Sequence, residues 1–160
     1  MYKVGIGQDS HPFDHNQKPL VLGGIVIRSS GGLKANSDGD VILHSLCNAL
    51  SSAIGGDSLG TWADEMCLKQ GIKDSRKYAV FILEKVKKAG YKVGNVSISV
   101  EAKKPRLSLD QIKKIKKSTA EILEINIACV GLTFTSGEDL TAFGQGKAIQ
   151  AFSMVTLSND

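Results

Sequence analysis

Residues 2–11 read YKVGIGQDSH, and this stretch predicts both a strand and part of a functional site. Apolar residues at positions 2, 4 and 6 alternate with other residues, at the period of two that is typical of a β-strand. If the strand continues through the stretch, Asp9 and His11 point to the same side of the sheet. We therefore expect the strand to place a carboxylate and an imidazole side by side.

Residues 37–44, SDGDVILH, predict the start of a helix. Ser37 or Asp38 can cap its first turn, because a side-chain oxygen there accepts backbone N–H groups that lack partners within the helix. His44 and Asn48 lie one turn apart on one face, where a polar row lets a helix line a pocket. An apolar stripe at helical spacing predicts the buried face, and it consists of Leu43, Leu46, Cys47 and Leu50.

Asp9, His11 and His44 together form the ligand set of an open zinc site. Zinc in catalytic centres takes three protein ligands from imidazoles and carboxylates and keeps a fourth position for water or substrate. A lone histidine is more often structural, so the spacing by itself leaves that alternative open. Asp40, one turn before His44, is either a hydrogen-bond partner that orients the imidazole or a first-turn carboxylate that interacts with the helix dipole.

The remaining pattern mixes strands and helices along one chain. The predicted strands after the first lie at residues 20–27, with a bend at the two glycines, and at 96–100, 127–134 and 149–157. Helices are predicted to follow the caps Asp74 and Ser108, and residues 57–73 are predicted to be irregular. Strands and helices in mixed order, with some strands adjacent, predict a single α+β domain over residues 1–160.

Composition narrows the class of protein further. The chain has 20 basic and 16 acidic residues, and its net charge of +4 suits an anionic small-molecule substrate. The densest basic run, residues 113–117, lies on a predicted helix and indicates a solvated face more than a nucleic-acid interface. The chain has three cysteines and no Cys-x-x-Cys pair, which indicates a reducing compartment. We see no signal peptide and no membrane-length apolar run, so we expect a cytoplasmic protein.

Two turns after predicted strands carry further candidate residues. Residues 135–140, TSGEDL, contain hydroxyls, a glycine and the carboxylate of Glu138, which could hold phosphate and a divalent cation. The alternative is an ordinary polar turn. Residues 104–107, KPRL, form a basic turn that has no specific meaning on its own.

Taken together, these segments resemble the 2-C-methyl-D-erythritol 2,4-cyclodiphosphate synthase family of the non-mevalonate isoprenoid pathway. The likeness spans nearly the whole chain, and the most specific part is residues 37–44 with the upstream Asp-x-His. The matching segments are residues 7–13 (GQDSHPF), 20–24 (LVLGG), 37–44 (SDGDVILH), 74–76 (DSR) and 104–107 (KPRL).

The resemblance implies a homotrimer around a threefold axis, with a mixed β-sheet covered by helices in each subunit. Active sites would lie between neighbouring subunits. It implies one Zn²⁺ per site on Asp9, His11 and His44, and a Mg²⁺ or Mn²⁺ that Glu138 helps to hold on the substrate diphosphate. No nucleic-acid or membrane partner is implied.

The implied reaction is an intramolecular phosphoryl transfer. The 2-phosphate of 4-diphosphocytidyl-2-C-methyl-D-erythritol 2-phosphate attacks the β-phosphorus, which gives the cyclic diphosphate and CMP. The resemblance implies catalytic roles for Ser37, Thr135 and Glu138. It implies contacts to the ribose, the cytidine nucleotide and the methylerythritol phosphate at Asp57, Gly60, Asp64, Lys104, Arg106, Thr135, Ser136 and Ser37.

The chain departs from the family pattern at several positions, and two of them lie near the predicted metal ligands. Asn36 stands where the family usually has histidine, and Asn48 stands where it usually has aspartate. We expect Asn36 and Asp40 to lie just behind the metal ligands. We expect the two departures to alter the properties of the zinc site without removing it. Two alternatives stay open: a zinc hydrolase with Asp40 as general base, and a non-catalytic trimer that binds a cytidine nucleotide or a metal.

Overall fold

A four-stranded sheet forms one layer of the protein, and helices cover one of its faces. The computed structural model describes residues 1–14 and 17–159, so His15 lies outside the described residues. The strands are β1 (Tyr2–Pro12), β2 (Leu20–Leu22), β3 (Ile25–Arg28), β4 (Lys92–Glu101), β5 (Val130–Thr135) and β6 (Ala148–Ser158). The helices are α1 (Val41–Ala53), α2 (Leu59–Asp64) with a π-helical turn (Glu65–Lys69), α3 (Ser75–Lys88) and α4 (Leu109–Leu123), with 3₁₀ turns at Ile127–Cys129 and Gly137–Asp139.

The sheet is mixed, with the strand order β1-β6-β4-β5. β6 pairs antiparallel with both β1 and β4, whereas β4 and β5 are parallel. The predicted α+β class with a mixed sheet and covering helices is therefore confirmed. β1 and β5 are the two edge strands.

β1 turns its glycines, not its apolar side chains, towards the helical layer. A Cβ at Gly5 would lie 2.0 Å from the Ala49 carbonyl oxygen, and one at Gly7 would lie 2.1 Å from that of Ser45. α1 therefore packs directly on the backbone of β1. The alternation predicted the strand correctly, but its apolar residues lie on the uncovered face, where Ile6 is 59% exposed.

α1 is a core helix whose start differs from the prediction. It begins at Val41, and its N-cap is Asp40 rather than Ser37 or Asp38. All but two of its residues are buried, so the predicted apolar stripe is only part of the buried surface. The capping box of α4, formed by Ser108 and Gln111, is present as predicted.

Two predicted segments fold differently. Residues 20–27 are not one bent strand but the hairpin β2–β3, because Gly23 and Gly24 both take positive φ (60° and 76°) and reverse the chain. Residues 57–73 are not irregular but contain α2 and the π-helical turn. The first amide of α2, at Leu59, is satisfied by the side chain of Asn48, a partner that is remote in sequence.

Among the described residues, no helix combines the length and apolar character that crossing a membrane requires.

Candidate active site

The predicted metal ligands converge where β1 meets α1. The Asp9 Oδ2 atom lies 3.0 Å from His11 Nε2 and 3.0 Å from His44 Nδ1, and the two nitrogens are 3.2 Å apart. Metal–ligand bonds of zinc length give a tetrahedron with edges of about 3.3 Å, so these atoms fit one face of such a site. Among the described residues, this is the one group of three His, Cys, Asp or Glu side chains that could hold a metal.

The charge state of Asp9 suits a ligand. Burial is the largest influence on this carboxyl and opposes its ionisation. The hydrogen bonds and charges of His11 and His44 together outweigh burial and lower the pKa of Asp9 to about 2. The group is therefore an anion at neutral pH, as a metal-binding carboxylate must be.

The imidazole of His44 is buried and touches polar groups through both nitrogens. Its Nδ1 atom faces Asp9 and His11. Its Nε2 atom lies 2.9 Å from Ser75 Oγ and 3.2 Å from Ser37 Oγ. The sequence did not predict the contact with Ser75, because a serine in the first turn of a helix is common and its target lies 31 positions away.

Of the two alternatives for Asp40, the structure agrees with a carboxylate at the start of the helix, and the alternative that this carboxylate orients the His44 ring is wrong. Both Asp40 oxygens accept backbone N–H groups, from Gly23, Gly24, Ile42 and Leu43. Asp40 is completely buried and caps α1 while it holds the β2–β3 turn. Its burial raises its pKa, and it is not among the residues that line the cavity beside the cluster. Asp40 is therefore not placed to act as the general base of a hydrolase, as that alternative requires.

A cavity of about 610 Å³ opens beside the cluster. Its volume suits a small-molecule substrate. The predicted residues Asn36, Ser37, Gly60 and Asp64 line it together with the three metal ligands and Asn48. Cys67 and Tyr78 also line it, and sequence reasoning did not single them out for this role.

Lys18 shapes one wall of this cavity through the backbone. Its ammonium group donates hydrogen bonds to the carbonyl oxygens of Ala35, at 3.2 Å, and Ser37. Burial lowers the pKa of Lys18. The lysine therefore fixes the segment that carries Asn36 and Ser37, although the sequence alone gave no signal for this contact.

The remaining predicted site residues lie elsewhere on the chain. Arg106, Thr135 and Ser136 line a second cavity of about 280 Å³, which shares no residue with the first. The Lys104 ammonium group lies 5.2 Å from the centre of the Phe13 ring. Asp57 lines a third, shallow pocket with Gly7, Gln8 and Asn48.

Glu138 is exposed and separate from the metal ligands. It has a positive φ of 47°, and its carboxylate accepts a hydrogen bond from the Ser136 hydroxyl at 2.6 Å. The pairing register places Thr135 opposite Glu101, Glu101 opposite Gln150 and Gln150 opposite Ser10. Three strand spacings, about 14 Å, therefore separate this end of β5 from the end of β1 that carries Asp9 and His11. We call the latter the metal end of β1.

The fold and the site together define a class of protein: an α+β domain with an open Asp-His-His cluster at the edge of its sheet. The family model described as "YgbB family" matches residues 2–158. A protein of Chlamydia trachomatis serovar L2 named 2-C-methyl-D-erythritol 2,4-cyclodiphosphate synthase is 44% identical, over 98% of this chain and 88% of its own length. The chain therefore belongs to the YgbB family.

Solved structures agree with this membership. A structure of 2C-methyl-D-erythritol-2,4-cyclodiphosphate synthase superposes with a TM-score of 0.87 at 30% identity and covers 98% of this chain and all (100%) of its own. A CDP complex of IspF from Plasmodium falciparum superposes with a TM-score of 0.84 at 29% identity, over 98% of this chain and 95% of its own.

Proposed function

We propose that this enzyme converts 4-diphosphocytidyl-2-C-methyl-D-erythritol 2-phosphate into 2-C-methyl-D-erythritol 2,4-cyclodiphosphate and CMP, in non-mevalonate isoprenoid biosynthesis. The observation that carries the proposal is the convergence of Asp9, His11 and His44 beside a cavity of about 610 Å³, in a chain that matches the family over residues 2–158. The enzyme is a phosphorus–oxygen lyase, and we expect it in the cytoplasm.

The reaction needs positioning and charge neutralisation more than proton transfer. An oxygen of the 2-phosphate forms a bond to the β-phosphorus, and the bond from that phosphorus to the bridging oxygen breaks, so that CMP leaves with the bridging oxygen. The nucleophile is already anionic, so no strong base is required. Holding both ends of one substrate in line supplies much of the rate enhancement, since effective molarities of about 10⁵ M or more are attainable.

The three ligand atoms suit zinc. They comprise two imidazole nitrogens and one ionised carboxylate oxygen, and the side towards the cavity is open. Bound there, Zn²⁺ would supply Lewis acidity that polarises a phosphate oxygen of the substrate. The Ser37 hydroxyl lines the same cavity and is placed to donate a hydrogen bond to a phosphate oxygen.

The neighbouring ends of β4 and β5 supply the nucleotide half of the site in this proposal. Lys104, Arg106, Thr135 and Ser136 hold the cytidine diphosphate, which the CDP complex of the similar Plasmodium falciparum protein supports. Glu138 would hold a Mg²⁺ or Mn²⁺, and that ion would supply positive charge to neutralise the diphosphate. Asp57 and Gly60 contact the ribose, and Asp64 contacts the methylerythritol phosphate.

A homotrimer brings these two halves together. Within one chain they lie on opposite edge strands, about 14 Å apart, and in cavities without a shared residue. The uncovered face of the sheet supports contact between copies, because apolar side chains are exposed on it: Tyr2, Val4, Ile6, Phe152 and Met154. Each active site would then combine the metal end of one subunit with the nucleotide end of its neighbour.

The test is incubation of the purified protein with the diphosphocytidyl substrate, with and without a metal chelator, followed by mass analysis. We expect equal amounts of CMP and cyclic diphosphate, loss of both with chelator, and recovery when zinc and magnesium are added. Release of CMP with only a linear product would instead identify a hydrolase. Binding of CDP without any turnover of the substrate would identify a non-catalytic protein.

A further inference from the structure

We propose that Asp38 and Ser75 act as a positioning pair that fixes the tautomer of His44 and aims its Nδ1 lone pair at the metal. The inference rests on the proposed metal site. Ser75 contacts His44 through Nε2, the ring nitrogen that faces away from Asp9 and His11, and Asp38 contacts Ser75.

The order of hydrogen bonds decides the tautomer. The Ser75 hydroxyl is hydrogen-bonded to Asp38 Oδ1, and an ionised carboxylate only accepts. Ser75 therefore donates its single hydroxyl proton to Asp38. Its oxygen lies 2.9 Å from His44 Nε2 and must accept there, so Nε2 carries the proton. In a neutral imidazole the other nitrogen, Nδ1, then has the lone pair. Nδ1 faces Asp9 and His11, and a metal bound among these atoms would replace the proton that Nδ1 otherwise shares with the Asp9 carboxylate.

Asp38 is itself held in place from two elements. Its Oδ2 atom accepts the Ser75 backbone N–H at 2.9 Å, in the first turn of α3. Its Oδ1 atom also accepts the Asp40 backbone N–H at 3.1 Å. The pair therefore joins the loop before α1 to the start of α3 and fixes His44 from both.

The pair also frees Ser37 for the substrate. Ser37 Oγ lies 3.2 Å from His44 Nε2, farther than Ser75 Oγ, and accepts a long hydrogen bond of 3.3 Å from the Gly39 N–H. The single Nε2 proton is used by Ser75. The Ser37 hydroxyl proton therefore stays available towards the cavity that Ser37 lines.

Two variants remove the pair in different ways. Ser75→Ala deletes the acceptor for Nε2–H. Asp38→Asn keeps the size of the side chain, but its amide group donates to Ser75 Oγ, so that the serine turns its proton towards His44 and favours the wrong tautomer. Ser45→Ala is the matched control, because Ser45 is a buried serine next to His44 whose hydroxyl is hydrogen-bonded to the Ile42 carbonyl and the Ser153 hydroxyl and not to the imidazole, among the residues that the structure describes.

The first measurement is the zinc dissociation constant of each folded protein, by competition with a chelator. We expect Ser75→Ala and Asp38→Asn to bind zinc about 10–100-fold more weakly than wild type, as for other partners that orient metal-binding histidines. Ser45→Ala should change zinc affinity by less than about twofold while it lowers thermal stability. Unchanged zinc affinity in either folded pair variant would overturn the proposal.

The second measurement is the ¹⁵N spectrum of the His44 ring in metal-free Asp9→Ala protein at mildly alkaline pH, where the carboxylate that competes for a proton on Nδ1 is absent. This variant should show the proton on Nε2, and the double variant Asp9→Ala/Asp38→Asn should show more of it on Nδ1. An Asp9→Ala ring protonated on Nδ1 would refute the pair. If wild type does not bind zinc, the proposed metal site fails, whereas the ring spectrum still tests the tautomer.

Discussion

The metal end of β1 and the nucleotide end of β5 are built in contrasting ways. Asp9, His11 and His44 sit at a junction of strand and helix, in contact with one another and with groups behind them. Thr135, Ser136 and Glu138 are exposed, and the hydrogen bonds of their side chains go to residues within 135–138. One chain therefore organises a complete ligand set at one end and leaves the other end open, which is what a site shared between copies requires.

The largest expected effect follows from removal of a ligand at the metal end. His44→Ala should lower kcat by at least about 10³-fold, because Lewis-acid stabilisation contributes several kcal/mol to phosphoryl transfer. Zinc content, measured by elemental analysis, should fall, while the nucleotide end keeps its affinity for CDP in calorimetry. Full activity in zinc-free protein would contradict the assignment.

Loss of negative charge at the nucleotide end should lower kcat without a change in zinc content. Glu138→Gln keeps the size of the side chain and removes its negative charge, so we expect kcat to fall by about 10²-fold through weaker binding of the magnesium ion. Zinc content should equal that of wild type. If zinc content fell as in His44→Ala, the two ends would not be separate units.

Packing at the metal end can be tested with one added methyl group. Gly7→Ala places a Cβ 2.1 Å from the Ser45 carbonyl oxygen, and it should lower the free energy of unfolding by about 1–3 kcal/mol or more. Gly131→Ala in β5 is the control, because its Cβ meets nothing closer than 3.6 Å. Denaturant titrations compare the two, and equal losses would contradict the close contact between β1 and α1.

The smallest expected effect concerns the departure at Asn48. Its amide donates to the Gln8 carbonyl at 3.2 Å, and its oxygen accepts the Leu59 N–H at 2.7 Å. Asn48→Asp keeps the second bond and loses the first, so we expect a loss of about 1 kcal/mol in unfolding free energy. Asn48→Ala should cost more, and thermal melts of both variants would show whether this order holds.

What the sequence could predict differs between the fold and the site. Local periodicity located β1, α1, α3, β4 and β6, and the spacing in β1 predicted that Asp9 and His11 lie side by side. The capping box of α4 was also visible locally, since Ser108 and Gln111 are three positions apart. These features depend on residues that are close in sequence.

The contacts that the sequence did not predict involve residues that only the tertiary structure brings together. One of the two alternatives for Asp40 was that its carboxylate orients the His44 ring, but this carboxylate accepts the N–H groups of Gly23 and Gly24, which lie far from it in sequence and turn the chain there. The first amide of α2 depends on Asn48, so the segment after α1 looked irregular. Ser75 reaches His44 only after α3 packs against α1. Such contacts have no local pattern, because the fold brings their partners together.

The assembly of one active site from two copies is tested most directly by coexpression of His44→Ala and Glu138→Gln with different tags, followed by isolation of assemblies that carry both tags. Each variant alone should be nearly inactive. If neighbouring subunits supply the two halves, every trimer that carries both tags has one intact site among its three interfaces, and cyclase activity should return towards about a third of wild type. Mixed assemblies that stay as inactive as the single variants would contradict a site shared between subunits.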